Sequence, residues 1–124
     1  GGFHTVSPGF MDIQSQRFLQ SGTSRISVLS PTSVRVEGTT NAYQLVQTIG
    51  VHFIIQEWNA VQGIWIDLVD AGQVTKNSSN TVRGSKDVGK LKTDRYYRAK
   101  VRHFISQDGL IEQQTSYTEY VLVK

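Results

Sequence analysis

The chain has no cysteine, only two prolines and one methionine, and no apolar run near the ~18 residues a membrane span requires. Without cysteine there is no disulfide and no thiol for catalysis, and any zinc site would rest on histidine and carboxylate alone. His4, His52 and His103 are the only imidazoles, and neither an HExxH motif nor a histidine pair two residues apart occurs. Gly-x-Ser-x-Gly, phosphate-binding glycine loops and EF-hand loops are missing as well. Glu57, Asp67, Asp70 and Glu112 are carboxylates of the kind a glycoside hydrolase pairs across a cleft, but no local spacing sets two of them there. The expectation is a protein that is not an enzyme and needs no cofactor or metal.

What is present is a strand-forming composition. Ser, Thr, Gln and Val are plentiful, alanine is scarce, and 38% hydrophobic with 19% charged residues is ordinary for a globular domain. At 124 residues there is room for one core and a tail. Lys and Arg number 13 against 10 Asp and Glu, a net charge of +3, and the isoelectric point is about 9.3. That surplus favours anionic polymers without indicating nucleic acid, whose usual motifs are absent. The start at Gly1-Gly2 without methionine is what signal-peptide removal or an expression scar would leave, so secretion or display at the cell surface is expected.

Residues 1–23 stand apart. Phe3, Val6, Phe10, Met11, Ile13, Phe18 and Leu19 are scattered among Gly, Pro and Ser, too interrupted for a helix and too apolar for a solvated tag, which predicts an extended arm that packs on something. Residues 24–124 read as one domain. Period-two alternation predicts strands over 25–28, 34–38, 49–58, 64–69, 82–88, 96–105 and 111–123, with a polar break at Thr39-Thr40-Asn41. In 49–58 the odd positions point inward. Asn59 to Gly63 and Ser106 to Gly109 supply hairpin turns, the polar stretch 70–80 a loop, and Gly84 or Gly89 a bulge or turn. The fold predicted is all-β, a single antiparallel β-sandwich of seven to eight strands with an extended N-terminal arm.

Leu91 lies six residues ahead of Tyr97, which opens a strand whose inward positions are Tyr97, Ala99, Val101 and His103. In that spacing the region resembles the tyrosine corner of fibronectin type III and immunoglobulin-like domains, and the resemblance covers 24–123. It implies a phenol packed inward with its hydroxyl reaching back to backbone. Thr93-Asp94 stands where that family often has proline and glycine, and no core tryptophan marks the second strand. The order Ile49-Gly50-Val51, Gln56, Trp58, Trp65, Tyr96-Tyr97-Arg98, His103 and Glu112 also resembles an uncharacterised family of short secreted proteins of spore-forming Gram-positive bacteria. That second resemblance implies export and an all-β fold but no functional residue.

Two functional readings remain open. In the first, the protein is an extracellular structural subunit: Phe3, Val6, Phe10, Met11 and Ile13 form a strand donated to the edge of a neighbouring copy, and head-to-tail repetition makes a homopolymeric filament. In the second it is a monomeric secreted module for a glycan, an anionic wall polymer or a protein partner. The outward side of 96–105 reads Tyr96, Arg98, Lys100, Arg102 and Phe104, a basic stripe bounded by aromatics, and Trp58 with Trp65 flanks the turn nearby as a platform for sugar. His52 is expected outside and His103 inside, so the histidines do not converge.

Overall fold

The computed structural model describes residues 16–124; the arm residues Phe3, Val6, Phe10, Met11 and Ile13, and also His4, lie outside them. The described residues form one curled antiparallel sheet of six strands: β1 (Leu19–Ser30), β2 (Ser33–Asn59), β3 (Ile64–Val88), β4 (Arg95–Gln107), β5 (Leu110–Tyr117) and β6 (Val121–Val123). No helix occurs among them. The six differ from the seven to eight expected because the breaks read at Thr39-Thr40-Asn41 and across 70–80 are not breaks. β2 and β3 run through them as strands of 27 and 25 residues. Thr is β-branched, and exposed polar residues suit a strand with one solvated face, so polarity alone did not mark a loop there. Conversely, the single final strand expected over 111–123 divides into β5 and β6, which pair with different parts of β4. β1 starts at Leu19 rather than near Ser24, because Leu19 is fully buried and pairs with Ala42.

β2 is the axis of the molecule. Its first half pairs with β1 on one side and the end of β3 on the other, while its second half pairs with the start of β3 and with β4. A register shift between Asn41 and Val46 bends the β2 to β3 ribbon, and the ribbon folds back over itself. Gly38 and Gly84 face each other in the ladder at the point of contact. A Cβ on Gly38 would come within 2.8 Å of Val51, and one on Gly84 within 2.9 Å of Val74. Of the two glycines read as a bulge or turn, Gly84 instead marks a close approach of layers, while Gly89 follows the end of β3.

The predicted inward positions hold. Ile49, Val51, Phe53 and Ile55 of β2 and Tyr97, Ala99 and Val101 of β4 are fully buried, joined by Ile26, Val34, Val36 and Val123. Each large aliphatic side chain so buried contributes roughly 1.5–3 kcal/mol relative to exposure. The turns also form as read: Gly63 (φ 69°) closes the β2 to β3 hairpin, and Asp108 and Gly109 (φ 50° and 79°) form a two-residue connection between β4 and β5.

The corner before β4 has the contacts that the tyrosine-corner resemblance implied. The Tyr97 ring is buried, and its hydroxyl accepts the Lys92 N–H at 2.9 Å and donates to Glu57 at 2.8 Å. Burial first, and then the Glu57 carboxylate, raise the phenol's pKa. Asp94 adopts φ 61°, taking the left-handed turn in place of a glycine, and its N–H bonds the Val123 carbonyl at 2.6 Å.

β1 and β5 approach across the open side of the curl, joined by side chains. Glu112 accepts the backbone N–H groups of Arg17, Phe18 and Leu19 at 2.9, 2.9 and 2.8 Å. Burial opposes the charge on Glu112, yet these three bonds and the nearby Arg17 prevail and hold its pKa below the usual glutamate range. Glu112→Ala should therefore cost about 3 kcal/mol by orphaning the three donors, with Glu112→Gln intermediate, both read from urea unfolding midpoints. Equal midpoints for wild type and Glu112→Ala would show that the clasp is energetically idle.

Candidate functional site

Among the described residues His103 has a strongly perturbed pKa, and it sits inside the sheet. Thr40 Oγ1 donates its one hydrogen to the Gly50 carbonyl at 3.0 Å, so it must accept from His103 Nδ1 at 2.8 Å. Nε2 is then the acceptor of the Ser116 hydroxyl at 2.7 Å, and Ser116 in turn accepts from Ser24 at 2.8 Å. Burial keeps the imidazole neutral at neutral pH, and with one ring hydrogen to place the count puts it on Nδ1. His103 and Ser116 are both fully buried, so this serine and histidine tie β1, β2, β4 and β5 together where no substrate reaches.

Burial pushes the His103 pKa down to about 4 from an ordinary 6.5. Between those values the unfolded chain holds the proton and the folded one does not. Stability is complete above about 6.5, falls as the pH drops to about 4, and is flat below for this group, a loss of about 3 kcal/mol. In His103→Gln the difference in urea midpoint between pH 7 and pH 4.5 should shrink; an unchanged difference would place the titration elsewhere.

His52 points outward, as expected, and its Nε2 meets Asp70 at 2.7 Å. The carboxylates considered for hydrolysis are each held by structural partners: Glu57 by the Tyr97 hydroxyl, Asp67 by Gln56 and Lys100, Asp70 by His52 and the Gly72 N–H, and Glu112 by β1. No cluster of three metal-ligating side chains occurs among the described residues.

The outer face gathers most of the residues read as a ligand face. Tyr96, Arg98, Lys100 and Arg102 alternate along β4, and the register sets Arg98 beside Gln56 and Trp58 opposite Trp65. Arg98 has its guanidinium 4.6 Å from the Trp65 ring and 4.4 Å from the Tyr117 ring, and its Nε donates to Gln56 at 2.7 Å. Burial lowers its pKa. It is the middle of a stacked column that fixes Trp65, not a free cation. Lys100 pairs with Asp67 at 2.9 Å. Arg102 lies over Phe104 at 4.4 Å and bonds Gln113. Phe104 itself covers Gly50 and is nearly buried, so it does not offer the exposed ring the alternation implied.

Four rings converge at one end of this face. Trp58 and Trp65 have centroids 5.3 Å apart, Trp65 and Tyr120 6.2 Å, and Tyr96 meets Tyr120 edge-on at 5.5 Å. Together they line a hollow of about 300 Å³. Tyr117 and Tyr120 were missed in the sequence because 111–123 read as one strand. Thr118 interrupts it: its N–H bonds the Ala99 carbonyl at 3.0 Å and its hydroxyl accepts the Ala99 N–H at 2.9 Å. The next residues leave the ladder and bring Tyr120 over Trp65 and Tyr96.

No protein-family model matches the chain, and no curated protein matches it. A solved crystal structure of a protein from Archaeoglobus fulgidus is similar at a TM-score of 0.42 and 15% identity, covering 86% of this chain and 98% of that one. No helix among the described residues is long and apolar enough to cross a membrane.

Proposed function

We propose that this protein is a non-enzymatic, secreted or cell-surface binding module that takes its ligand on the outer face, in the hollow of Trp58, Trp65, Tyr96 and Tyr120. The observation that carries the reading is the ring cluster itself, with Tyr120 62% and Tyr96 42% exposed. Large aromatic rings ordinarily contribute to a core, and four held half-open, one braced by the half-buried Arg98, form a preorganised contact surface. The finer fold assignment goes with it. We read the curled sheet as a sandwich of the fibronectin type III or immunoglobulin-like kind, supported by the Tyr97 corner.

Sedimentation with purified bacterial cell walls tests the binding role. Wild type should co-sediment, and Trp65→Ala or Tyr120→Ala should weaken retention about tenfold, the loss of roughly 1.4 kcal/mol of ring contact. Retention equal in wild type and both variants would remove the hollow from the function.

A second reading has its own observation. Among the described residues β3 pairs only with β2, which leaves its outer edge unpaired beside the exposed Ile64, Ile66 and Leu68. A strand donated by Phe3, Val6, Phe10, Met11 and Ile13 of another copy would add there by β-augmentation, giving a filament, although Gly72 and Ser78, both at positive φ, interrupt that edge. Electron microscopy of the full chain beside a version lacking residues 1–15 should then show filaments only with the arm. Monomer-sized particles in both would end the filament reading.

A further inference from the structure

We infer that the ligand is a neutral oligosaccharide chain lying in a cleft of which the aromatic hollow is one half; the inference rests on the binding role proposed above. A second hollow, of about 490 Å³, adjoins the first and shares Trp58 and Tyr96 with it. Its other walls combine the polar side chains of Glu57, Asn59, Asp94 and Arg95 with the apolar Ala60 and Val61. Both volumes fall in the ~300–1,000 Å³ range of small-ligand sites. The cleft therefore runs from four rings, past the shared pair, to a group of amide, carboxylate and guanidinium side chains.

A sugar ring has that same division. Its axial C–H groups make an apolar face that lies on an aromatic ring, and its hydroxyls at the rim both donate and accept hydrogen bonds. One sugar set against Trp58, Trp65 and Tyr120 leads, through the shared Trp58 and Tyr96, to a neighbour whose hydroxyls meet Asn59, Asp94 and Arg95. Asp94 is fixed by its turn geometry and its backbone bond to Val123, and Asn59 by the hairpin, where its side-chain oxygen takes the Gln62 N–H at 2.9 Å. Asn59 and Asp94 are thus on rigid turns, as selective recognition requires.

Charge separates this ligand from the alternatives. The second hollow sets two carboxylates, Glu57 and Asp94, against one guanidinium, Arg95, a negative balance that disfavours an anionic polymer. Arg98, the cation beside the aromatic hollow, has both faces covered by Trp65 and Tyr117 and its Nε given to Gln56, which leaves little of it for an anionic polymer. The same positive charge beside Trp65 disfavours a quaternary ammonium, the other common occupant of aromatic boxes.

Tryptophan fluorescence of the full chain, titrated with cello-, xylo-, manno- and laminari-hexaose and with polygalacturonate at low and ~0.5 M salt, tests the assignment. At least one neutral hexasaccharide should shift the emission saturably and equally at both salt concentrations. Tyr120→Ala at the aromatic end and Arg95→Ala at the polar end, both exposed positions, should each weaken it fivefold or more. Response to polygalacturonate alone, abolished by salt, overturns the neutral-sugar assignment and leaves the binding role standing. Loss of affinity in Tyr120→Ala but not in Arg95→Ala overturns the two-hollow cleft. If no saccharide acts while cell-wall retention still depends on Trp65, only this inference falls; if that retention is also absent, the binding role falls with it.

Discussion

Everything in this molecule depends on the β2 to β3 ribbon folding back over itself. A ribbon of that length left flat would bury little, since a sheet needs a second layer against its apolar face. The bend at Asn41 to Val46 and the contact of Gly38 and Gly84 against Val51 and Val74 supply that layer from the same pair of strands. β1 and β4 then complete opposite halves, which is why a chain of six strands needs no disulfide to hold a core that includes Phe53, Ile55, Tyr97 and Val101.

The curl leaves a seam between β1 and β5, and polar groups hold it. Glu112 receives three consecutive N–H groups, and the Ser24, Ser116, His103 and Thr40 chain passes through the interior to the Gly50 carbonyl. Buried polar groups of this kind are costly unless every donor and acceptor is matched. Here each hydrogen has an assigned place, so the seam specifies the registry of β1 against β5 that apolar contact alone would leave loose. A serine and a histidine in contact are in this setting structural.

On the opposite face the same register places unlike residues together for a different end. Trp58 and Trp65 come from the two sides of one hairpin, Arg98 from β4, Tyr117 from β5 and Tyr120 from the break after it. Stacking on Arg98 fixes Trp65 without covering the hollow beyond it. A stripe that looks basic when written as Arg98, Lys100 and Arg102 is in three dimensions largely occupied by Gln56, Asp67, Gln113 and aromatic faces. The uncommitted surface is aromatic.

From residues alone, alternation determined the all-β class and which faces of 49–55 and 97–103 are buried, because side-chain direction in a strand has period two whatever the neighbours are. The resemblance carried by Leu91 and Tyr97 likewise pointed to the corner, whose defining bond, Lys92 N–H to the Tyr97 hydroxyl, spans five residues. Trp58, Trp65 and Tyr96 could also be picked out as a face. Strand ends could not: Thr39 to Asn41 and 70–80 look like loops until a partner strand satisfies their backbone, and Leu19 looks like part of an arm until Ala42 pairs with it. Nor could the sequence show that Tyr120 would join the rings, that Arg98 would be sandwiched, or that Glu112 would clasp a segment more than ninety residues away. Those depend on the register between strands distant in the chain, and only the folded sheet sets that register.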